Sequence, residues 1–490
     1  MSHVKKIVDI LKLVSLGCFL FYVIQSCENE PVELVTIIDT DSDGVENNID
    51  NCVSIANPDQ TDTDNDGHGD TCDDDDDGDG ILDDIDNCPL IANPNQDDDD
   101  SDGIGNFCDD DWVDPNAPLA ACIDGFADIY PCNDYDLMAH LPLSTFEATE
   151  GNDSWGWTDS TTGKEYALMA TNTNVSFVDI TEPNNPIYLG NLPTAASNSS
   201  WRDVKVAEDY AYIVADNAGN HGMQVFDLTR LRNVANPPET FTTDAHFTDF
   251  GEAHNIIVDQ ANAYAYIVGT DKNAQYQGDT IIVDIENPLA PEQVQTLSGY
   301  SHDAQVVVYD GPDSDHRGKQ IFIGSNETEI AIIDVTNKIN PVIISQVNYS
   351  NVGYTHQGWL TENMQYFILG DELDELNFGN NTKTIVFDFS DLDNPTFHFN
   401  YFGPTEAIDH NGYVNGNTLY LANYRAGVRM IDVSDIGNSA MTEIGFFDTY
   451  PENDSANFNG AWNVYPFFSS GNIVVSDIDR GLFVIRKSDL

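Results

Sequence analysis

Apolar and polar residues alternate in short runs along residues 122–490, and one run in each repeat ends in a common pattern. The pattern is a group of apolar residues interrupted by one aspartate, as in FVDIT, and a turn follows it. Runs rich in aromatic and β-branched residues, bounded by Gly, Asn, Asp and Pro, are typical of β-strands. The central aspartates are Asp179, Asp227, Asp284, Asp334, Asp388 and Asp432, and a degenerate seventh copy covers residues 482–485.

Each copy has room for four strands. A run rich in Tyr, Ile and Val, such as residues 210–214, lies upstream, and another apolar run, such as 187–192, follows the turn. A period of about 50 residues with four strands per unit predicts an all-β fold, the β-propeller. Seven copies predict seven blades, while six or eight remain open because the copy at residues 155–179 is divergent.

The last copy ends after its third strand, so its fourth strand must come from elsewhere in the chain. Residues 136–146 (DLMAHLPLSTF) match the fourth-strand pattern. We expect this segment to complete the last blade, because pairing the two ends of the propeller hides the edges of that blade. The expected propeller spans residues 128–490 and follows a linker at residues 112–127.

Four acidic loops precede the linker and share one spacing. Each has Asp at positions 1, 3 and 5, Gly at position 6, Asn or Asp at position 9 and Asp at position 12. Calcium takes six to eight oxygen ligands on a flexible loop with a sharp glycine turn. The predicted calcium ligands are Asp39, Asp41, Asp43, Asn47 and Asp50 in the first loop; Asp62, Asp64, Asp66, Asp70 and Asp73 in the second; Asp75, Asp77, Asp79, Asp83 and Asp86 in the third; and Asp98, Asp100, Asp102, Asn106 and Asp109 in the fourth.

Two other interpretations of the loops are a solvated acidic linker and an EF-hand. A disordered linker would not hold six positions in register four times. No amphipathic helices flank the loops, and position 12 is Asp where an EF-hand has Glu. The charge supports a cation, because residues 39–111 contain 27 acidic residues and no Lys or Arg occurs between Lys12 and Lys164. A net charge of -66 disfavours nucleic acid and anionic membranes as partners.

The loop starts lie 23, 13 and 23 residues apart (39 to 62, 62 to 75, 75 to 98), and each long unit contains two cysteines. Together with DNC at Asp50, DNCP at Asp86 and the phrases IANPDQ and IANPNQ, this spacing resembles type 3 thrombospondin repeats over residues 39–111. The resemblance implies an extended calcium-binding stalk with little regular secondary structure and disulfides Cys52–Cys72 and Cys88–Cys108. Val53 stands where proline is usual.

The N-terminus is typical of an exported protein. Three lysines precede an apolar stretch at residues 13–24, which has the length of a signal peptide core and is too short for a comfortable membrane span. Ser26 before Cys27 resembles a bacterial lipobox, which implies a signal peptide at 1–26, a lipid on Cys27 and a linker at 27–38. Gln25 is atypical, so cleavage by an ordinary signal peptidase stays an alternative. We expect an outer-membrane or cell-surface lipoprotein of a Gram-negative bacterium.

Six cysteines remain when Cys18 is removed with the signal peptide and Cys27 carries the lipid. This even number is consistent with three disulfides in an oxidising compartment. The third pair would be Cys122–Cys132. Free thiols or metal ligands are the alternative, but the chain has no CxxC spacing and no Cys/His clustering that would indicate zinc.

The aspartate pattern of the blades resembles LVIVD-repeat propellers, and the order of export signal, stalk and propeller resembles the choice-of-anchor B family. Members of that family attach through a lipoprotein cysteine or a C-terminal sorting domain. We recognise no sorting domain here, which leaves Cys27 as the expected anchor. The resemblance implies no established reaction.

The strand that begins each blade opens with Trp or His and a polar residue, and innermost strands line the axial channel of a propeller. These residues should form a ring at one mouth, joined by carboxylates such as Asp216 and Glu372. One interpretation of the ring is structural, because its repetition resembles the His–Asp pair that pins adjacent strands in Trp-Asp-repeat propellers. The alternatives are a ligand site, a metal site and a catalytic site. The candidates are Trp201, Arg202, His254, His302, His356, His410, Arg425 and Trp462, with Trp157, Trp201 and Trp462 as stacking surfaces.

The sequence therefore predicts a lipid-anchored surface protein whose calcium stalk presents a propeller for ligand binding or adhesion, with an extracellular protein or glycan as partner. The alternative is a metal-dependent hydrolase or lyase that uses the histidine ring. No GxSxG, HExxH, P-loop or dinucleotide motif is present.

Overall fold

The computed structural model describes residues 38–110, 112, 114 and 117–488. The described residues divide into two compact units, with the boundary between residues 112 and 113. The predicted signal peptide, Cys27 and residues 28–37 lie outside the described residues. No helix in the described ranges is long and apolar enough to cross a membrane.

The first unit consists of turns and bends, and residues 38–110 contain no helix and no strand. Disulfides join Cys52 to Cys72 and Cys88 to Cys108, as the resemblance implies. The glycine at position 6 of each loop has a backbone φ between 96° and 101°. Such a φ is rare for residues with a side chain, which explains why glycine recurs there.

The described residues of the second unit form seven sheets, each built on four antiparallel strands, which confirms the all-β, seven-bladed prediction. The first strands of neighbouring blades contact each other around the axis, and blade 7 meets blade 1. From the axis outward, the strands are Gly151–Thr158, Glu165–Thr171, Asn174–Asp179 and Ile187–Pro193 in blade 1; Arg202–Ala207, Tyr210–Ala215, Met223–Asp227 and Ala245–Phe247 in blade 2; Asn255–Asp259, Tyr264–Val268, Asp279–Asp284 and Glu292–Tyr300 in blade 3; Asp303–Val308, Gln320–Ser325, Ile330–Asp334 and Val342–Val347 in blade 4; Thr355–Leu360, Tyr366–Asp371, Lys383–Asp388 and Thr396–Phe402 in blade 5; Gly412–Asn415, Thr418–Ala422, Val428–Asp432 and Thr442–Phe447 in blade 6; and Ala461–Tyr465, Asn472–Asp477, Gly481–Lys487 and Tyr135–Leu141 in blade 7.

The recurring aspartate ends the third strand of blades 1 to 6. In each of these blades its carboxylate accepts a hydrogen bond from the backbone N–H two residues later, as Asp179 does from Thr181 at 3.1 Å and Asp334 from Thr336 at 3.0 Å. Aspartate favours such turns because its short side chain reaches its own backbone. The pattern in the sequence therefore marks the turn into the outermost strand.

The outer strand of blade 7 comes from the N-terminal side of the propeller. Tyr135–Leu141 pairs antiparallel with Gly481–Lys487, with Leu141 opposite Leu482. The matched segment was expected to run to residue 146, but the strand ends at Leu141, and Leu143–Phe146 forms a 3-10 helix. Pro142 between them has no N–H for the strand ladder, which explains the earlier end.

Three short strands add to the seven sheets without a signal in the sequence. Two of them, Phe126–Ala127 and Tyr130–Asn133, extend blade 6 outward. A disulfide links Cys132 in the second of these strands to Cys122, which precedes the first. Ala120 also pairs with Leu137, so the end of the predicted 112–127 linker is held on the propeller. Glu239–Thr240 runs parallel to the outer strand of blade 1. The remaining helices are short: Leu228–Asn233, Gln260–Asn262, Asp374–Phe378 and Ile436–Asn438.

Candidate functional site

In the acidic loops a backbone N–H holds one oxygen of each aspartate at positions 1 and 3, and in five of these eight aspartates the other oxygen is buried without a hydrogen-bond partner. At position 1, a carboxylate oxygen accepts the N–H of the glycine at position 6 at 3.0 to 3.2 Å in every loop. Position 3 accepts the N–H of position 5 in the same way. Carboxylate oxygens of Asp39, Asp41 and Asp43 lie within 4.8 Å of one another, as do those of Asp62, Asp64 and Asp66. The loop fold therefore points several oxygens at one centre.

Eight buried carboxylate oxygens of this unit have no hydrogen-bond partner. A buried carboxylate oxygen without a donor is costly, so such atoms mark a missing cation or proton. All but one belong to positions 1, 3 and 12, which fits calcium ligation at those positions. The oxygens are Asp41 Oδ2, Asp50 Oδ2, Asp62 Oδ1, Asp75 Oδ1, Asp76 Oδ1, Asp77 Oδ2, Asp86 Oδ2 and Asp98 Oδ1.

Asp76 is the member of this set that sequence reasoning missed, because it stands at position 2 of its loop. Burial and the nearby carboxylates, Asp83 first, raise the pKa of Asp76 to about 6. The run of five aspartates at 73–77 was the available signal, since the second and third loops start only 13 residues apart (62 to 75).

The echoing IANPDQ and IANPNQ phrases hold the position-12 aspartates. Gln60 Nε2 donates to Asp50 Oδ1 at 3.0 Å, and Gln96 Nε2 donates to Asp86 Oδ1 at 2.7 Å. In each case the other oxygen, Oδ2, is left without a donor. The phrase therefore orients a ligand that lies ten residues earlier in the chain.

The four residues at position 9 face the start of their own loop. Asn47 Oδ1 accepts the N–H of Thr40 at 2.9 Å, and Asp70, Asp83 and Asn106 accept the equivalent N–H groups at 2.8 to 3.0 Å. These contacts close the loop on itself. Direct calcium ligation by position 9 stays a prediction.

In the propeller, six of the eight predicted mouth residues line one cavity of about 470 Å³. They are Trp201, His254, His302, His356, His410 and Trp462, and the wall also contains Asp216, Asn217, Tyr300, Tyr354, Glu372, Tyr424 and Phe458. The tyrosines and Phe458 are not among the predicted residues. Tyr354, Tyr424 and Phe458 lie between strands, on a path that the strand pattern does not specify, and Tyr300 ends the outer strand of blade 3. The cavity is therefore largely aromatic, and its polar groups are imidazoles, tyrosine hydroxyls, two carboxylates and the amide of Asn217.

Arg202 and Arg425, the other two candidates, do not line this cavity. Arg202 is buried between blades, where its guanidinium donates to Thr171 O at 3.0 Å and to His221 Nε2 at 2.9 Å. Arg425 bonds instead to Asn453, Ser455 and Asn459. Trp157, expected as a stacking surface, is 3% exposed and packs on Tyr166. Successive side chains of a strand point to opposite faces, so Trp201 faces the mouth and Arg202 does not.

The four histidines follow one another around the axis. Each ring centroid lies 4.4 to 4.5 Å from the next in the order His254, His302, His356, His410. The Trp462 ring centroid lies 4.5 Å from that of His410. His254 Nδ1 contacts Asp216 Oδ2 at 3.1 Å, the kind of pair that a structural role predicts. Burial lowers the pKa of His356 and of His410 to about 3 and that of His302 well below its usual value. These imidazoles are therefore neutral at physiological pH.

The polar residue that follows three of the ring positions, His254, His356 and Trp462, joins neighbouring blades. Asn255 Nδ2 donates to His302 O at 3.2 Å, Gln357 Nε2 to Gly412 O at 3.1 Å, and Asn463 Nδ2 to Ser154 O at 2.7 Å. Asn152 of blade 1 makes the same contact with Ser200 O at 2.8 Å. The repeated polar residue is thus structural, and blade 1 shares it although its sequence diverges.

Glu372 lies between two ring histidines. Its carboxylate is 3.8 Å from His356 Nε2 and 3.7 Å from His410 Nε2, and Tyr424 Oη donates to it at 2.7 Å. His410 Nδ1 contacts Trp462 O at 2.5 Å. The Nε2 atoms and the carboxylate therefore converge without bonding to one another.

Each of the two units contains residues that match a known family of repeats. Residues 38–60 and 61–96 match the thrombospondin type 3 repeat, and residues 200–220, which span the first two strands of blade 2, match the LVIVD repeat. No curated protein matches the chain.

Two solved structures are similar to this chain at low identity, and the first of them shares its fold. A chain of Kuenenia stuttgartiensis hydrazine synthase is 10% identical with a TM-score of 0.50, over 70% of this chain and 97% of that one. A Lactobacillus plantarum protein is 13% identical with a TM-score of 0.44, over 66% and 88%. The chain is therefore one that carries thrombospondin type 3 repeats, a class of calcium-binding repeat, followed by a seven-bladed β-propeller with an LVIVD repeat.

Proposed function

We propose that this chain is an exported, lipid-anchored surface protein whose calcium-loaded repeats present the propeller for ligand binding or cell adhesion. In this proposal residues 1–26 are the signal peptide, Cys27 carries the lipid in the outer membrane of a Gram-negative bacterium, 27–38 is a linker, 39–111 is the calcium-binding stalk and 128–490 is the propeller. The architecture is compatible with the choice-of-anchor B family.

Export is supported by the three disulfides, because disulfides persist in oxidising compartments. Calcium is supported by the orphaned carboxylate oxygens at positions 1, 3 and 12. Bound calcium supplies the positive charge that 27 acidic residues at 39–111 require to pack closely.

The observation that carries ligand binding is the aromatic cavity at the mouth. Its volume of about 470 Å³ lies within the usual range of ligand sites, which are mostly apolar with a few convergent polar groups. Trp201 is 39% exposed there, so it presents a face to stack on a sugar or an apolar side chain. The ligand class is therefore a neutral glycan or a peptide.

The test is binding of the calcium-loaded full chain to glycan and extracellular-protein arrays. We expect hits that disappear with Trp201→Ala and persist with Phe397→Ala, a matched removal of an exposed aromatic ring from an outer strand. Equal binding by both variants would place the ligand elsewhere, and the absence of any hit would reject the proposal. Fatty-acid labelling that is lost in Cys27→Ser tests the anchor separately.

A metal-dependent hydrolase or lyase is the second candidate, and one observation favours it: two imidazoles and a carboxylate converge in the cavity wall. This function predicts turnover of ester, amide or glycoside substrates that Glu372→Gln abolishes. Binding without turnover across such a panel would leave the first function.

A further inference from the structure

Three side chains at the mouth could share one ion. His356 lies in the first strand of blade 5, Glu372 follows its second strand, and His410 precedes the first strand of blade 6. One ligand atom from each lies within 4.8 Å of the other two. Ligands of a metal bound at about 2.0–2.2 Å stand roughly 3–4 Å apart. The separations of 3.7 and 3.8 Å are too long for hydrogen bonds and suit donors around a metal.

Neighbouring groups orient two of these donors, His410 and Glu372. His410 Nδ1 contacts the carbonyl of Trp462 at 2.5 Å, so this nitrogen carries the proton and the Nε2 lone pair faces Glu372. Tyr424 Oη donates to Glu372 Oε1 at 2.7 Å and fixes the carboxylate. A histidine ligand that donates to a backbone carbonyl and a carboxylate ligand that accepts from a hydroxyl are usual outer contacts of a metal site. Both histidines are at least 97% buried, which holds their rings in place.

We propose that His356, Glu372 and His410 bind a divalent first-row transition metal, with the remaining coordination positions open to the mouth cavity. Two imidazole nitrogens and one carboxylate oxygen suit zinc and its neighbours, whereas calcium prefers oxygen alone. The chain then has two kinds of metal site, which are calcium sites in the acidic loops and a transition-metal site at the propeller mouth. The site serves either function proposed above.

A second cluster, Asp313, His316 and Asp393, is a weaker candidate. His316 Nε2 already bonds Asp393 Oδ2 at 2.9 Å, and its Nδ1 lies 3.2 Å from the ammonium of Lys319. Both nitrogens are therefore engaged, and the lysine charge opposes a cation. This cluster supplies the matched control.

The test is a Zn²⁺ titration of the full chain, stripped with chelator and returned to millimolar calcium so that the acidic loops are filled. We expect one tight equivalent in wild type and in His316→Gln. In Glu372→Gln, which keeps an acceptor for Tyr424, the affinity should fall by more than about 100-fold, since outer-shell changes alone cost about 10–100-fold. No tight equivalent, or one that survives Glu372→Gln, would overturn the site.

The thermal transition of each variant shows whether it folds. If a variant does not fold, a spectroscopic measurement on the wild-type protein tests the site in its place. Electron paramagnetic resonance of Cu²⁺-loaded wild type should show coupling to two imidazole nitrogens, and a spectrum without nitrogen coupling would reject the assignment. Only the metal is added, so failure of this site and failure of the ligand proposal are separate results.

Discussion

The glycine at position 6 is the residue on which each acidic loop turns. Gly80 has a φ of 97°, and a Cβ built there meets nothing within 4 Å, so the cost of a side chain is conformational alone. We expect Gly80→Ala to cost about 1–2 kcal/mol in the folded loop and thus to lower its calcium affinity roughly tenfold. Calorimetric titration measures this change.

Gly299→Ala is the matched control, because Gly299 has a φ of 109° and equally open surroundings in the propeller. It should destabilise the propeller by a similar amount and leave calcium binding unchanged. Equal calcium affinities of wild type and Gly80→Ala would contradict the role of the turn.

Asp448 makes the stability of the propeller depend on pH. Burial, then Asp454 and Asp477, raise its pKa from 3.8 to about 7, against the lowering effect of Arg429 and of the Tyr450 N–H. The folded state keeps the proton up to about pH 7, whereas the unfolded state releases it near 3.8. The free energy of unfolding should therefore fall as pH rises from about 4 to 7, by up to about 1.4 kcal/mol per unit from this group.

Asp448→Asn removes this titration and should gain stability over wild type with increasing pH. Urea unfolding at pH 4, 5.5, 7 and 8, in constant millimolar calcium, measures the difference. Asp435→Asn, which makes the same change at an exposed aspartate, is the matched control. A parallel pair of curves for wild type and Asp448→Asn would refute the assignment.

At the scale of elements, the closing strand decides whether the ring is stable. Leu137 is 2% exposed, pairs with Ile485 and packs in the cluster that blades 6 and 7 share. Leu137→Ala should cost about 2–5 kcal/mol, because the cavity cannot close without moving the strand. Denaturant unfolding measures the loss. Leu376→Ala, at a residue 47% exposed, should change stability little, and equal effects would argue against closure by this strand.

The Cys122–Cys132 disulfide supports the two added strands on blade 6. It closes a short loop of sequence separation 10, for which the loss of chain entropy predicts about 2–3 kcal/mol. The double Cys122→Ser, Cys132→Ser variant should unfold at a lower denaturant concentration and keep its calcium affinity. The double Cys52→Ser, Cys72→Ser variant should lose calcium affinity and keep the denaturant concentration at which the propeller unfolds. A calcium defect in the first variant would contradict the separation of the two units.

At the scale of the whole molecule, the two units are stabilised by different forces. The propeller packs apolar side chains between blades, whereas residues 38–110 place carboxylates together without regular secondary structure. A calcium-selective chelator should abolish the order of the first unit and leave the thermal transition of the propeller in place. Circular dichroism with and without chelator measures this, and identical spectra would show that calcium does not order the repeats.

The sequence by itself determined the features whose parts lie close together in the chain. Each acidic loop is complete within twelve positions, so spacing alone indicates which oxygens converge, and the orphaned oxygens of Asp62, Asp75 and Asp98 agree with it. The blade pattern is local as well, because the aspartate that ends a third strand bonds to its own turn, as Asp179 does. The resemblance of these repeats to type 3 thrombospondin repeats implies two of the cysteine pairs, Cys52–Cys72 and Cys88–Cys108, and both are present.

Only the tertiary structure decided which residues meet at the mouth. Glu372 and His410 approach because blades 5 and 6 are neighbours. Tyr424 orients Glu372 from a loop of blade 6, and Trp462 orients His410 from the first strand of blade 7. Alternation along a strand separates its two faces but does not say what opposes either face. Arg202 was therefore expected at the mouth and lies between blades instead. The chemistry of the cavity depends on packing between distant segments, which no local pattern encodes.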